Sequence, residues 1–206
     1  MFLTSHYITR FFRIVTLGAL TVVLSACSKT VTWEEEVPLN TGETIWVKRT
    51  VVYSLQGGAG NPLDMAYRRG KDEAIEFKWN GKSYYYKGEA VIMVLAVSPE
   101  KQPVLVARAE DNSWDARYKY ACTYPFYVQL IPDQTGRAWT WPPHIETWLY
   151  NLPTNLFRDF GTPEGVLPRY TVQQKSLQPY LSDPRLVSTH KIDPALTGDL
   201  CKRKEK

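Results

Sequence analysis

The side chains able to carry acid–base or metal chemistry are few in this 206-residue chain, and they are scattered. Past residue 27 the only histidines are His144 and His190, and neither stands at metal-ligand spacing with another His or Cys, so no metal site is expected. His144, between Pro143 and Ile145, is read as a surface or hydrogen-bonded histidine rather than a catalyst. Gly57-Gly-Ala-Gly60 lacks the following Gly-Lys-Ser/Thr of a phosphate cradle and fits no dinucleotide fingerprint, which makes it a flexible turn. No Gly-x-Ser-x-Gly stretch offers a nucleophile elbow. Carboxylates are harder to set aside, because glycosidic hydrolysis needs only two of them, about 5 to 9 Å apart in space. Glu34, Glu35 and Glu36 lie in an apparent strand, where alternation sends Glu35 to the face opposite the other two. Asp111 and Asp115 flank Trp114, an arrangement compatible with sugar binding, although a solvated loop with one packed tryptophan is the simpler expectation.

Aromatic content is the compositional oddity: seven Trp, thirteen Tyr and seven Phe make 13 % of the chain. So many large rings cannot all be central core, and those at the surface could stack on sugars or anchor protein partners. Trp139 and Trp141 share one face if that segment is extended, and with Trp114 they form the candidate binding face; a hydrophobic lid over the core is the competing expectation.

The N-terminus has a different chemistry. Arg10 and Arg13 precede the apolar run Ile14–Leu24, and no acidic residue occurs before Glu34. Eleven helical residues rise only about 16 Å, half of a bilayer's hydrocarbon core, which suits a secretory signal better than a membrane span. Leu24-Ser25-Ala26-Cys27 follows and resembles the lipobox of bacterial lipoproteins. The resemblance covers residues 1–27 only. It implies a signal peptide over 1–26, cleavage before Cys27, and a diacylglyceryl group on the Cys27 thiol, with palmitate or a similar chain on the new amino group in many Gram-negative bacteria. It further implies a cell-envelope location held by covalent lipid, with Ser28 favouring the outer over the inner membrane where both exist. Two or three acyl chains hold a protein stably, where one does not.

Cleavage before Cys27 would leave 180 of the 206 residues, enough for one domain with a sizeable core. Removing Arg10 and Arg13 takes the formal charge from +4 to +2, which argues against nucleic acid as a partner. In an oxidising compartment Cys122 and Cys201 are expected to pair. Such a bridge would close a loop of about 80 residues and stabilise the fold by roughly 4 kcal/mol.

The elements that must position these groups are mostly strands. Residues 28–32 are expected to be a tether of about 17 Å, leading into a β-rich domain over 33–206. Thr32–Val37 and Glu43–Ser54 alternate with period two, with Arg49 breaking the second pattern. Asn61-Pro62 could cap a short helix ending at Gly70, and Pro142–Tyr150 could form another. Asn80-Gly81 predicts a type I′ hairpin that pairs Phe77 with Tyr84 and Ile75 with Tyr86. Ala90–Val97 reads as a strand buried on both faces, followed by strands at Pro103–Ala109 and Phe126–Ile131, and prolines then break the C-terminal third into short pieces.

These features predict a mainly β fold, an antiparallel sandwich or partly open barrel with one or two short helices. The expected function is that of a lipid-anchored, non-enzymatic binding or accessory module without a cofactor, whose partners are the membrane and an envelope protein or glycan. The alternative is an envelope hydrolase acting on peptidoglycan or polysaccharide through a carboxylate pair.

Overall fold

Alternating strands collapse here into two facing sheets. The structure, a computed structural model, describes residues 28–58, 61–108, 127–142, 144–157, 162–177 and 190–196. The strands are β1 (Ser28–Pro38), β2 (Thr44–Gly58), β3 (Asn61–Trp79), β4 (Lys82–Gly88), β5 (Val91–Val97), β6 (Pro103–Arg108), β7 (Tyr127–Pro132), β8 (Trp139–Thr140) and β9 (Arg169–Tyr170). The first sheet has the order β4-β3-β2-β1-β9 and the second β5-β6-β7-β8. All pairings are antiparallel except that of β9 with β1. The fold is therefore mainly β and a sandwich, with no closed barrel among the described residues.

The hairpin at 74–87 forms as its turn chemistry requires. Asn80 and Gly81 take φ of 48° and 76°, and the register pairs Phe77 with Tyr84 and Ile75 with Tyr86. Ile75, Phe77, Trp79, Tyr84 and Tyr86 all turn inward. They meet β5 and β6, whose residues Ile92–Val97 and Pro103–Ala107 are buried on both faces, so the core sits between the sheets.

The two sheets touch at their edges through a few single hydrogen bonds instead of ladders. Asn40 reproduces a strand partner for β5, accepting from Val97 N–H and donating to Val97 C=O at 2.8 Å each. Asn155 does the same for Leu95 and also donates to the Pro38 carbonyl. At the other edge the Gly136 carbonyl accepts from Tyr85 N–H at 2.9 Å. Gly136 is needed there: its φ is +73°, and a Cβ would lie 2.8 Å from the Ser83 carbonyl oxygen. Edge groups that could template aggregation are thereby satisfied internally.

Several local expectations are corrected. Residues 28–32 are the first half of β1, with Ser28 opposite Ser54 and Thr32 opposite Thr50, and do not form a free tether. Residues 61–70 are extended and paired with β2, because an adjacent strand offers a full ladder whereas a ten-residue helix with no continuous apolar face would gain little from packing. Pro62 is tolerated beside the hairpin end. Of Pro142–Tyr150 only Thr147–Leu149 coils, as a single 3-10 turn. The α-helix among the described residues is α1 (Val172–Ser176), opened by a capping box of Thr171 and Gln174. Its Thr-x-x-Gln signature stands in the sequence. No described helix is long and apolar enough to cross a membrane.

Candidate functional site

Arg49 does not break the alternation of β2; it continues the inward face of Val47, Val51 and Tyr53 and is buried with them. Its presence inside is explained by what faces it. The guanidinium donates to Glu35 Oε1 at 3.0 Å and forms an ion pair with Glu73 on the far strand. Arg69 holds the other oxygen of Glu73. Lys175 of α1 reaches Glu35 Oε2 at 2.9 Å and the Asn155 carbonyl at 2.5 Å. The Phe157 N–H donates to Glu35 Oε2 at 2.6 Å, and Trp33 Nε1 donates to Glu35 Oε1 at 3.3 Å. The Trp33 ring also lies 5.3 Å from the Arg49 guanidinium, close enough for cation–π attraction. Burial holds the Lys175 ammonium below the ordinary lysine pKa, with Glu35 opposing that shift.

Chemically this cluster is a clamp. Glu35 is fully buried and receives four donors, so neither oxygen is open to a substrate. Glu34 and Glu36, on the outer face, are also engaged: Glu34 accepts from Arg169 at 2.6 Å and Glu36 from Val172 N–H at 3.1 Å. The three consecutive glutamates thus fasten the C-terminal segments to β1. An aromatic layer reinforces the clamp, with Phe157 stacked on Tyr170 at 4.1 Å and edge-on to Trp33 at 6.1 Å.

Among the described residues, an apolar groove and the outer face of the first sheet are open. The first has a volume of about 380 Å³, and its lining includes Leu39, Val94, Leu152, Leu156, Val172 and Lys175. Its size is within the range of small-ligand pockets. The second is the outer face of the first sheet. There Trp46 is 43 % exposed with Arg169 stacked 4.5 Å above its ring, and Tyr85 is 37 % exposed. The rung Glu34–Lys48–Glu76–Tyr85 crosses all four antiparallel strands beside Trp46. Its backbone is held rigid by ladders on both sides, and its side chains combine flat rings with charges of both signs.

The residues singled out from sequence are dispersed. Trp139 is half-buried: its Nε1 donates to the Tyr85 carbonyl at 2.7 Å and its ring stands edge-on to Tyr86. Trp141 is 37 % exposed, past the end of β8. His144 is exposed and His190 half-buried, and no described group of three His, Cys, Asp or Glu could hold a metal. Leu24, Ser25, Ala26, Cys27, Asp111, Trp114, Asp115, Cys122 and Cys201 lie outside the described residues. Sequence reasoning missed the Arg49 clamp, although an arginine on an apolar strand face and a glutamate on the inward face of its neighbour were both visible. Trp46 was visible only as one tryptophan among seven.

No family model, curated protein or solved structure matches this chain. Its fold class is that of a two-sheet β-sandwich, and the chemistry of its surfaces alone must indicate a role.

Proposed function

We propose that the protein is a lipid-anchored cell-envelope binding or accessory module without catalytic activity, attached through Cys27 and facing an envelope protein or glycan. The observation that carries the binding role is the rigid outer sheet face bearing Trp46 and Tyr85. Amphipathic rings on a preorganised backbone lose little conformational freedom when a partner docks, which favours recognition. The arrangement of the glutamates supports a non-enzymatic role, since Glu34, Glu35 and Glu36 all hold structural partners. The lipobox and leader support the anchor, and the outer membrane is the favoured site in a cell that has one.

Crosslinking in intact cells, followed by capture of the full chain, tests the binding role. One reproducible protein partner, lost in Trp46→Ala with Tyr85→Ala, is the expected result. Recovery of glycan alone, with cleavage products, would favour the hydrolase instead. Metabolic labelling with palmitate tests the anchor separately: the wild type should carry label and Cys27→Ser should not.

A further inference from the structure

The register of the first sheet sets which part of the domain lies beside the anchor. Ser28 pairs with Ser54, and Ser54 pairs with Arg68, so these three residues form one rung. Cys27 is one peptide unit from that rung, and its Cα lies within about 3.8 Å of that of Ser28. The β2–β3 ribbon does not stop there. Leu55–Tyr67, Gln56–Ala66 and Gly57–Met65 pair beyond it, carrying the ribbon about 10 Å past the anchor rung at the usual strand rise.

This overhang has the composition of an interfacial element. Met65 is 51 % exposed, and Leu55 and Tyr67 on the same face are half-buried, with Tyr67 packed against the cluster of Trp33, Tyr53 and Phe157, so Met65 is the apolar side chain turned to solvent there. Basic residues stand at its base: Arg68 on the anchor rung, exposed, with Lys29 and Arg69 one rung behind, both opposite Tyr53. Lys29 and Arg69 are shared with Glu164 and Glu73 respectively, and Arg68 is exposed on the anchor rung itself. Between residues 55 and 71 the sequence has one acid, Asp64, against Arg68, Arg69 and Lys71. Apolar side chains beyond a basic collar match the order of a bilayer surface, with phosphates first and acyl chains below.

We infer that the described end of the β2–β3 ribbon, at Met65, rests in the phospholipid headgroup layer as a second, non-covalent membrane contact, with Arg68 at phosphate level. The inference rests on lipidation at Cys27. With two attachment points the sandwich would have a fixed tilt and could not swivel on its acyl chains, and Trp46 and Tyr85 would be presented in a defined direction.

The test uses the full lipidated protein in vesicles of phosphatidylethanolamine and phosphatidylglycerol, with a photoreactive benzoylphenylalanine at position 65 or at position 41. Thr41 is exposed in the turn at the far end of β1. Several-fold more phospholipid adduct from position 65 than from 41 is expected, with a drop when Arg68→Glu is added. Equal adducts at the two positions, or adduct at 41 alone, would overturn the inference while leaving lipidation intact. A protein adduct at 65 in cells, with no lipid adduct, would overturn it too, and would assign the tip to a protein partner. Absence of palmitate from wild-type Cys27 would overturn both the anchor and the contact that depends on it. Circular dichroism on each variant separates loss of contact from loss of fold.

Discussion

The interior is held together in two chemically different ways. Between β3–β4 and β5–β7 the contacts are almost wholly apolar: Ile75, Phe77 and Tyr84 against Val94, Leu105, Val128 and Leu130. Closer to the N-terminal end of β1, Trp33, Val51, Tyr53, Phe157 and Tyr170 form a smaller cluster around the Glu35–Arg49–Glu73 ion pairs. The difference follows from what each region must join. Two sheets with alternating faces need only area and shape to pack, and dispersion and water exclusion supply that without direction. The C-terminal segments near Phe157 and Lys175 have little regular structure to bury, so directional bonds to Glu35 define where they lie. Charge in that position is expected to specify geometry more than to add stability, because desolvation of buried ions offsets much of their attraction.

Arg49→Met should separate the two regions most sharply. It leaves Glu35 and Glu73 buried without their shared cation, and a loss of about 3–5 kcal/mol is expected in urea unfolding. Replacing Glu35, Arg49, Glu73 and Lys175 together by apolar residues should restore much of that loss, because of the cluster's charges only Arg69 then remains, and its side chain is partly exposed. A quadruple variant as unstable as the single one would show that the ion pairs supply net stability. Leu105→Ala, in the apolar half, should cost about 2–5 kcal/mol through lost transfer energy and the cavity left behind. Unlike the clamp variant, it should leave the proteolytic sensitivity of residues 155–177 unchanged at equal global stability. A smaller effect, about 1 kcal/mol, is expected for Thr171→Ala, which removes the cap of α1 and loosens the element carrying Lys175.

The least visible effect at neutral pH is that of Lys175 titration. Its folded-state pKa lies below the unfolded value, so between the two the unfolded chain binds more protons. Stability from this group should therefore be flat below the folded pKa and rise with pH toward the ordinary lysine value. Lys175→Met should abolish that rise, as seen in the difference between the unfolding curves of the two proteins measured across the same pH range. A rise that persisted in the variant would assign it to another group.

Legibility from the sequence divides along the same line as the interior. The Asn80-Gly81 hairpin was readable because its turn, register and inward face are all specified within fourteen residues. The continuous apolar run at β5 was readable because length and β-branching suffice to bury it. Arg49 was not: its partners come from 14 and 24 positions away on neighbouring strands, Lys175 reaches the same Glu35 from α1, and alternation alone marked Arg49 as an error. Residues 61–70 misled for a related reason. Asn-Pro at one end and Gly at the other suit a helix locally, whereas the edge of β2 not taken by β1 decides for a strand.

For this protein, then, the sequence by itself determined a mainly β composition, the central hairpin and the apolar faces of β3 to β6, because these depend on near neighbours and on a period of two. Only the tertiary structure decided that Arg49 and Glu35 belong inside, that Trp139 packs while Trp46 faces out, and that Ser28 is already part of a sheet. The physical reason is that burying a charge, or orienting a ring, depends on partners far along the chain, whose position exists only once the strands have paired.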